Sequence, residues 1–180
     1  MKKTIHRWFW IWDYDIEEAW LNEMAASGLE LTAVGWCTYH FDEGQPGEYI
    51  YRIELLPRLP IHPQSQQYIS FIEDTGAECI ATFMRWAFFR RRSELGGFDL
   101  FSDTDSRLKQ LLQILMLLGS INLMNLSNTI NMAHRWTESG NSAYLAILTL
   151  CAILEPFLVY GLAKVSLKYR KLKRARRLFE

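Results

Sequence analysis

Short segments of alternating apolar and polar residues fill the chain to about residue 92, and two long apolar runs follow. The first run, 111–133, has 23 residues without a formal charge, and the second, 142–163, has 22 residues with one. Each is long enough to cross ~30 Å of hydrocarbon as a helix. Only eight residues, 134–141, separate them. The pattern predicts a two-helix transmembrane hairpin behind a mixed N-terminal domain.

Strand-like and helical segments alternate in the N-terminal part. The period-two stretch HRWFWIWD predicts a strand, and DIEEAWLNEMAASG predicts a helix that ends at Gly28. The segments LELTAVGWCTYHF and GEYIYRIELL read as strands, QSQQYISFIEDTG as a second helix, and AECIATFMRWAFFRRR as a last strand. This order predicts an α+β domain of ferredoxin-like (βαββαβ) topology over residues 1–97.

Three tryptophans in the first predicted strand are candidate ligand or partner contacts. Alternation places Trp8, Trp10 and Trp12 on one face of that strand. Such a row is typical of a core or of a dimer interface. If the row points away from the helices, it forms an exposed apolar patch that a ligand, a partner or the membrane surface must cover.

Residues 98–110 are expected to connect this domain to the first span. Ser102 or Asp103 can cap the oncoming helix, and Asp105 suits the positive end of its dipole. Arg107 precedes the span directly. The connector either fixes the domain against the membrane or acts as a coupling hinge.

Charge is divided unevenly along the chain, although the net charge is zero. Residues 1–110 carry 11 Lys/Arg and 17 Asp/Glu, whereas residues 111–180 carry 9 and 3. Eight basic residues lie in the tail, 164–180, and the turn 134–141 has only Arg135. Because basic residues flank the cytoplasmic ends of spans, both termini are expected in the cytoplasm, with the basic tail against the anionic lipid bilayer. Binding to nucleic acid is a less simple explanation of these basic residues than attraction to the bilayer.

A polar stripe interrupts the first span, and Glu155 and Pro156 interrupt the second. Asn122, Asn125 and two further asparagines recur every three residues. Glu155 lies too deep for its side chain to reach headgroups, and Pro156 removes a helix hydrogen bond. We therefore expect Glu155 to face Asn122 and Asn125 across the hairpin. The contact serves either to hold the helices together or as a proton- or ligand-responsive site.

Signatures of catalysis or of metal binding are absent from the sequence. Cys37, Cys79 and Cys151 form no C-x-x-C pair, the four histidines have no ligand spacing, and no phosphate-binding or nucleophile motif occurs. We therefore expect no enzyme activity, no cofactor and no metal.

Several stretches carry a family resemblance, namely FWIWDYDIEEAWLNEMAASGLEL, PGEYIYRIELL, TGAECIATFMRWAFFRRR and FDLFSDTDSRL, followed by the hairpin. Together they resemble the domain of unknown function 2812 (DUF2812) family. The resemblance implies a small membrane protein of the bacterial plasma membrane, often encoded beside a PadR-type transcriptional regulator, with no established catalytic residues.

Two functions follow as expectations. The first is a regulatory or sensory membrane protein whose cytoplasmic domain binds a ligand or protein partner. The second is an accessory subunit of a transport or efflux assembly, in which the polar stripe and Glu155 line a path. In either case a second copy of the chain or another membrane subunit is the expected partner.

Overall fold

The computed structural model describes residues 2–96 and 104–179, with the backbone alone described for residues 104–107 and 175–179. The chain divides into two units, Met1–Leu100 and Phe101–Glu180. The first is a mixed α+β domain with two sheets, and the second consists of two long apolar helices. The expected α+β class and the helical hairpin are therefore present.

The first half of the α+β domain is a strand–helix–strand–strand unit. It consists of β1 (Lys3–His6), α1 (Tyr14–Ala26), β2 (Leu29–Gly35) and β3 (Thr38–Glu43). The strands form an antiparallel sheet in the order β1-β3-β2.

The second half has the same arrangement. It consists of β4 (Tyr49–Leu55), α2 (Pro63–Glu73), β5 (Glu78–Phe83) and β6 (Trp86–Arg92). Its antiparallel sheet has the order β4-β6-β5. In both halves the third strand lies between the other two, so the domain is a structural repeat of one unit.

Local details recur at matching positions of the two repeats. A glycine with positive φ follows each helix, Gly28 at 83° and Gly76 at 86°, a conformation in which glycine avoids the strain of a side chain. In each repeat the strand pairing then shifts, after Leu31 in the first and after Cys79 in the second.

Arg90 joins the two repeats. Its Nη1 lies 3.4 Å from Glu30 Oε2, and its Nη2 lies 2.9 Å from Glu78 Oε2. The guanidinium also lies 4.4 Å from the ring centroid of Tyr49. Glu30 and Glu78 each follow the helix-ending glycine by two residues, so one cation on β6 connects matching positions of β2 and β5.

The ferredoxin-like prediction is wrong in strand number and in topology. The segments LELTAVGWCTYHF and AECIATFMRWAFFRRR each form two strands joined by a two-residue turn, at 36–37 and 84–85. Two-residue hairpin loops favour Gly, Asn or Asp, and neither turn contains one. Instead, Cys37 and Met84 adopt φ of 54°, so the sequence carried no turn signal.

The first strand is also shorter than its alternating pattern predicted. β1 pairs with β3 alone, and His6 lies opposite Thr38, the first residue of β3. The described residues contain no strand that pairs with the chain beyond His6, and residues 11–13 form a 3₁₀ turn ahead of α1. Trp8, Trp10 and Trp12 therefore do not share one face of a strand.

Two apolar cores stabilise the domain. The larger packs α1 against both sheets, and its buried residues include Trp20, Leu21, Leu31, Phe41, Tyr51, Ile53 and Phe88. The smaller packs α2 against the other face of the second sheet, through Leu56, Ile69, Ile72, Ala87 and Phe89. Burial of these side chains supplies most of the stabilisation of the domain.

The second unit is a helical hairpin of α3 (Thr104–Ser139) and α4 (Ser142–Phe179). The helices extend beyond the expected spans 111–133 and 142–163, and the tight connection contains Gly140 with φ of 62°. The segments Leu108–Ser139 and Ser142–Arg174 are long and apolar enough to cross a membrane.

The prediction for the connector, residues 98–110, falls partly outside the described residues. Ser102 and Asp103 lie outside the described residues. Asp105 and Arg107 belong to the first turn of α3, where the backbone alone is described.

Candidate functional site

A cleft of about 280 Å³ opens in the α+β domain at the junction of the two repeats. It lies between the segment that links β1 to α1 and the ends of the two hairpins. We call it the aromatic cleft; it is lined by Arg7, Trp8, Phe9, Trp10, Ile11, Tyr14, Glu17, Val34, Gly35, Trp36, Cys37, Tyr39, Phe83, Met84, Trp86 and Phe88. A concave, mainly apolar surface with a few polar groups is typical of a small-molecule site.

Ring contacts connect the walls of the aromatic cleft. The Trp8 ring lies edge-on to Trp10 at 5.3 Å and to Trp36 at 5.9 Å between centroids. Trp36, from the first repeat, contacts Phe83, from the second, at 6.1 Å. The wall is therefore continuous across the junction of the repeats, and edge-to-face geometry is a favourable arrangement for such rings.

Two of the three tryptophans expected at a binding face line the cleft. Trp8 and Trp10 are exposed, at 50% and 44% of their surface, whereas Trp12 is 5% exposed and does not line it. Trp12 stacks behind Trp10, with ring centroids 5.1 Å apart. Trp8 and Trp10 therefore line the cleft, and Trp12 supports Trp10 from behind.

The polar centre of the cleft is a pair that sequence reasoning missed. The Tyr39 hydroxyl donates a hydrogen bond of 2.6 Å to Glu17 Oε1. Burial raises the pKa of Glu17, and the bond from Tyr39 opposes part of that rise. Burial, together with the neighbouring Glu17 carboxylate, raises the pKa of Tyr39.

Glu17 lies on the inward side of α1, and the residues that follow it fix this side of the helix against the domain. Trp20 and Leu21, three and four residues later, are buried in the larger core. Asn22, further along the helix, exchanges two hydrogen bonds with the backbone of Tyr51, of 2.8 and 3.0 Å. The signal in the sequence was therefore an acidic residue in register with the apolar stripe of a helix.

Arg7 is the second charged group at the cleft. Its side chain is exposed, and its guanidinium carbon lies 5.0 Å from the ring centroids of both Phe9 and Trp20. Its backbone N–H donates to the carbonyl of Cys37 at 3.0 Å. The cleft therefore combines an exposed cation with a partly buried carboxylate.

Both non-glycine residues with positive φ in the described part of the chain line this cleft. These are Cys37 and Met84, one in each hairpin turn. The left-handed conformation costs a residue with a Cβ roughly 1–2 kcal/mol. Backbone strain of this kind often accompanies functional sites, which makes it a second, independent indication at this cleft.

A second polar site lies within the helical hairpin. Asn125 Nδ2 donates to Glu155 Oε2 at 2.6 Å and to the carbonyl of Cys151 at 3.0 Å. The expected contact between Glu155 and the asparagine stripe is thus present for Asn125. The Nδ2 of Asn122 is buried and has no hydrogen-bond partner among the described residues, so it does not bond to Glu155. Pro156 lies inside α4, directly after Glu155.

Comparison with known proteins places the chain in a family. The family model described as "Protein of unknown function (DUF2812)" matches residues 13–121. This segment contains Glu17, Tyr39 and both hairpins, and it ends one residue before Asn122. No curated protein and no solved structure matches the chain. Because the match covers more than half of its length, the chain belongs to the DUF2812 family of proteins of unknown function.

Proposed function

We propose that this protein is a small bacterial membrane protein of regulatory or sensory type, whose N-terminal domain binds a small organic ligand in the aromatic cleft. The observation that carries the proposal is the Glu17–Tyr39 pair within a wall of aromatic rings. Isolated polar groups in an apolar cleft give a bound molecule orientation and specificity. The helical hairpin holds this domain at the membrane.

Exposure of the two long helices supports the membrane anchor. In the most apolar window of each helix, 22% of residues in α3 and 6% in α4 are buried within the chain. A helix in the core of a soluble protein would be largely buried instead. Large apolar side chains along both helices, including Met116, Leu123, Leu150 and Phe157, are exposed, and lipid is the simplest environment to cover them.

Basic residues support an orientation with both termini in the cytoplasm. Six basic residues between Lys164 and Arg174 follow the apolar part of α4 closely, whereas the other end of the hairpin, residues 134–141, carries Arg135 alone as a Lys or Arg. The bias of Lys and Arg near span ends sets orientation in bacterial membranes. The aromatic cleft then faces cytoplasmic ligands.

The proposal is tested by a ligand screen on the full-length protein in lipid nanodiscs. Soluble aromatic compounds of positive, neutral and negative charge are titrated while tryptophan fluorescence is recorded. At least one compound is expected to bind. Its affinity is expected to fall in Trp36→Ala and to be unchanged in Phe71→Ala, which removes an equally exposed ring from α2. Absence of binding in every class, or binding that survives Trp36→Ala, would contradict the proposal.

The alternative function, an accessory subunit of a transport or efflux assembly, is favoured by the polar site in the hairpin. Asn125 and Glu155 form a contact within segments apolar enough to cross a membrane, and within the described part of the chain the buried Nδ2 of Asn122 has no hydrogen-bond partner. Polar groups at such a depth often mark a path or a subunit contact. Co-purification of a transporter subunit with the tagged protein would support this function, and isolation of the chain by itself or as a homodimer would count against it.

A further inference from the structure

We infer that the ligand of the aromatic cleft is a compact organic cation, held between tryptophan rings and the carboxylate of Glu17. This inference rests on the proposed function, because it names the class of molecule that the cleft would bind. It depends on four features of the cleft: the exposed ring faces, the carboxylate, the place of Arg7 and the contrast between the two repeats.

The exposed rings of the cleft suit a cation. Trp8 and Trp36 are 50% and 68% exposed, and tryptophan is the side chain whose ring face attracts cations most strongly. Each ring is held in place by edge-on contacts with its neighbours. A ligand therefore meets rings that are already positioned, which lowers the entropic cost of binding.

Glu17 supplies the opposite charge. Its Oε1 accepts the hydroxyl of Tyr39, and burial disfavours its ionised form. A cationic ligand beside this carboxylate would replace part of the water that burial removes. A neutral ligand of the same shape would leave the charge of Glu17 uncompensated.

Arg7 does not take the place of the cationic ligand beside Glu17 in the structure. Its guanidinium lies over Phe9 and Trp20, and Trp20 is outside the lining of the cleft. Arg7 is exposed, whereas Glu17 and Tyr39 are partly or fully buried. The ionisable groups in the interior of the cleft are therefore acidic, and the basic group is at its rim.

The second repeat provides an internal contrast. Ser65 and Ala87 occupy the positions that match Glu17 and Tyr39, counted from the glycines Gly76 and Gly28 that end the two helices. Ser65 is fully buried, and its hydroxyl bonds to the backbone of Arg58. The fold therefore forms without a carboxylate at this position, and Glu17 is not required by the architecture.

Two probes of equal shape test the inference by calorimetric titration of the full-length protein in zwitterionic nanodiscs. The cation is para-hydroxyphenyltrimethylammonium, and the neutral probe is para-tert-butylphenol, which differs by the replacement of nitrogen with carbon. Protein-free nanodiscs give the correction for partition into lipid. We expect the cation to bind at least about tenfold more tightly than the neutral probe, which corresponds to ~1.4 kcal/mol.

The Glu17→Gln variant is expected to lose this preference and to keep the affinity for the neutral probe. Glu23→Gln, on the exposed side of the same helix, is the matched control and is expected to behave like the native chain. Trp36→Ala is expected to weaken both probes.

Each remaining outcome overturns the inference. Equal affinity for the two probes leaves a cleft that binds ligands without selecting cations. A preference that survives Glu17→Gln leaves a cleft that selects cations without the carboxylate of Glu17. The proposed function stands in both cases. Tighter binding of an anionic probe, para-tert-butylbenzoate, would assign recognition to Arg7. If none of the three probes binds and the wider screen is also negative, the proposed function fails with the inference.

Discussion

The hydroxyl of Tyr39 lies 2.6 Å from Oε1 of Glu17, and this bond joins β3 to α1 at the base of the aromatic cleft. Burial raises the pKa of Glu17, so ionisation of this carboxylate costs the fold some free energy. A site that keeps a costly charge among aromatic rings is typical of function rather than of stability.

Replacement of Glu17 by Gln is expected to stabilise the protein at neutral pH while it weakens cation binding. Gln keeps an oxygen that accepts the hydroxyl of Tyr39, and it removes the charge that burial disfavours. The melting temperature is expected to rise by a few degrees in thermal unfolding. Glu23→Gln is the control, and a fall in stability for Glu17→Gln alone would show that the carboxylate is structural.

Stability and affinity are expected to change with pH in opposite directions. Because the folded pKa of Glu17 is raised, its contribution to stability is fully present below its unfolded pKa and is lost as pH rises through its folded pKa. Cation affinity instead falls as pH decreases through the folded pKa. Arg7, Tyr14, Cys37 and Tyr39 are the other ionisable groups that line the cleft. Calorimetry across the acidic range measures affinity, and an unchanged affinity down to the ordinary pKa of a glutamate would contradict the assignment.

A glycine at Cys37 is expected to relieve backbone strain at the cleft. Cys37 has φ of 54°, and glycine adopts this region without the penalty of a Cβ, although it also loses more entropy on folding. The net gain for Cys37→Gly is expected to be about 0.5 kcal/mol. The free energy of unfolding in denaturant measures it. Gly28→Ala, which places a Cβ at positive φ and 3.1 Å from the carbonyl oxygen of Gly44, is expected to destabilise the fold and serves as the opposite control.

Glu155 is expected to stabilise the hairpin through Asn125. Glu155→Gln retains a group that can bond to the amide of Asn125, whereas Glu155→Leu leaves that amide without its side-chain partner. Loss of this contact is expected to cost about 0.6–2 kcal/mol. In thermal denaturation in detergent, the native chain and the Glu155→Gln variant should therefore have higher melting temperatures than the Glu155→Leu variant. If the Glu155→Gln variant is stable and yet abolishes function, the carboxyl group has a role beyond this contact. If the Glu155→Leu variant equals the native chain in both respects, the contact has no structural role.

Thiol labelling tests the orientation of the helices. In intact cells a membrane-impermeant maleimide is expected to label Ser139→Cys and to leave Cys37 and Cys79 unlabelled. Burial and the nearby Glu73 raise the pKa of Cys79 to about 11, so its thiol reacts slowly wherever it lies and Cys37 is the informative native residue. Permeabilised cells give the positive control for Cys37. Labelling of Cys37 in intact cells, with Ser139→Cys protected, would invert the topology.

The sequence predicted the parts of the structure that follow from long patterns. Two long apolar runs indicated the helical hairpin, and Gly28 marked the end of α1. The depth of Glu155 in its run indicated a partner on the other helix, which proved to be Asn125. These inferences succeeded because apolar length and helix-ending glycines act locally.

The repeat and the aromatic cleft could not be predicted in this way. Cys37 and Met84 turn the chain in conformations that sequence rules assign to glycine or asparagine, so two hairpins read as single strands. Helical spacing aligns Ile16 with the buried Trp20, four residues later. Ile16 is nevertheless exposed, and Glu17 lies on the inward side of α1 instead. The packing of α1 against both repeats decides that rotation, and such long-range contacts leave no local pattern.

A direct contact between Glu17 and the ligand is central to the proposed cation site, and titration of the Glu17 carboxyl carbon by nuclear magnetic resonance tests it most sharply. The full-length protein carries carbon-13 in its glutamate side chains, and Glu17→Gln identifies the signal. Without ligand, the pKa of Glu17 should lie above the ordinary value; with saturating para-hydroxyphenyltrimethylammonium it should fall, because a cation that prefers the carboxylate must stabilise the ionised form. A pKa that stays the same or rises when the cation saturates the protein would contradict the account.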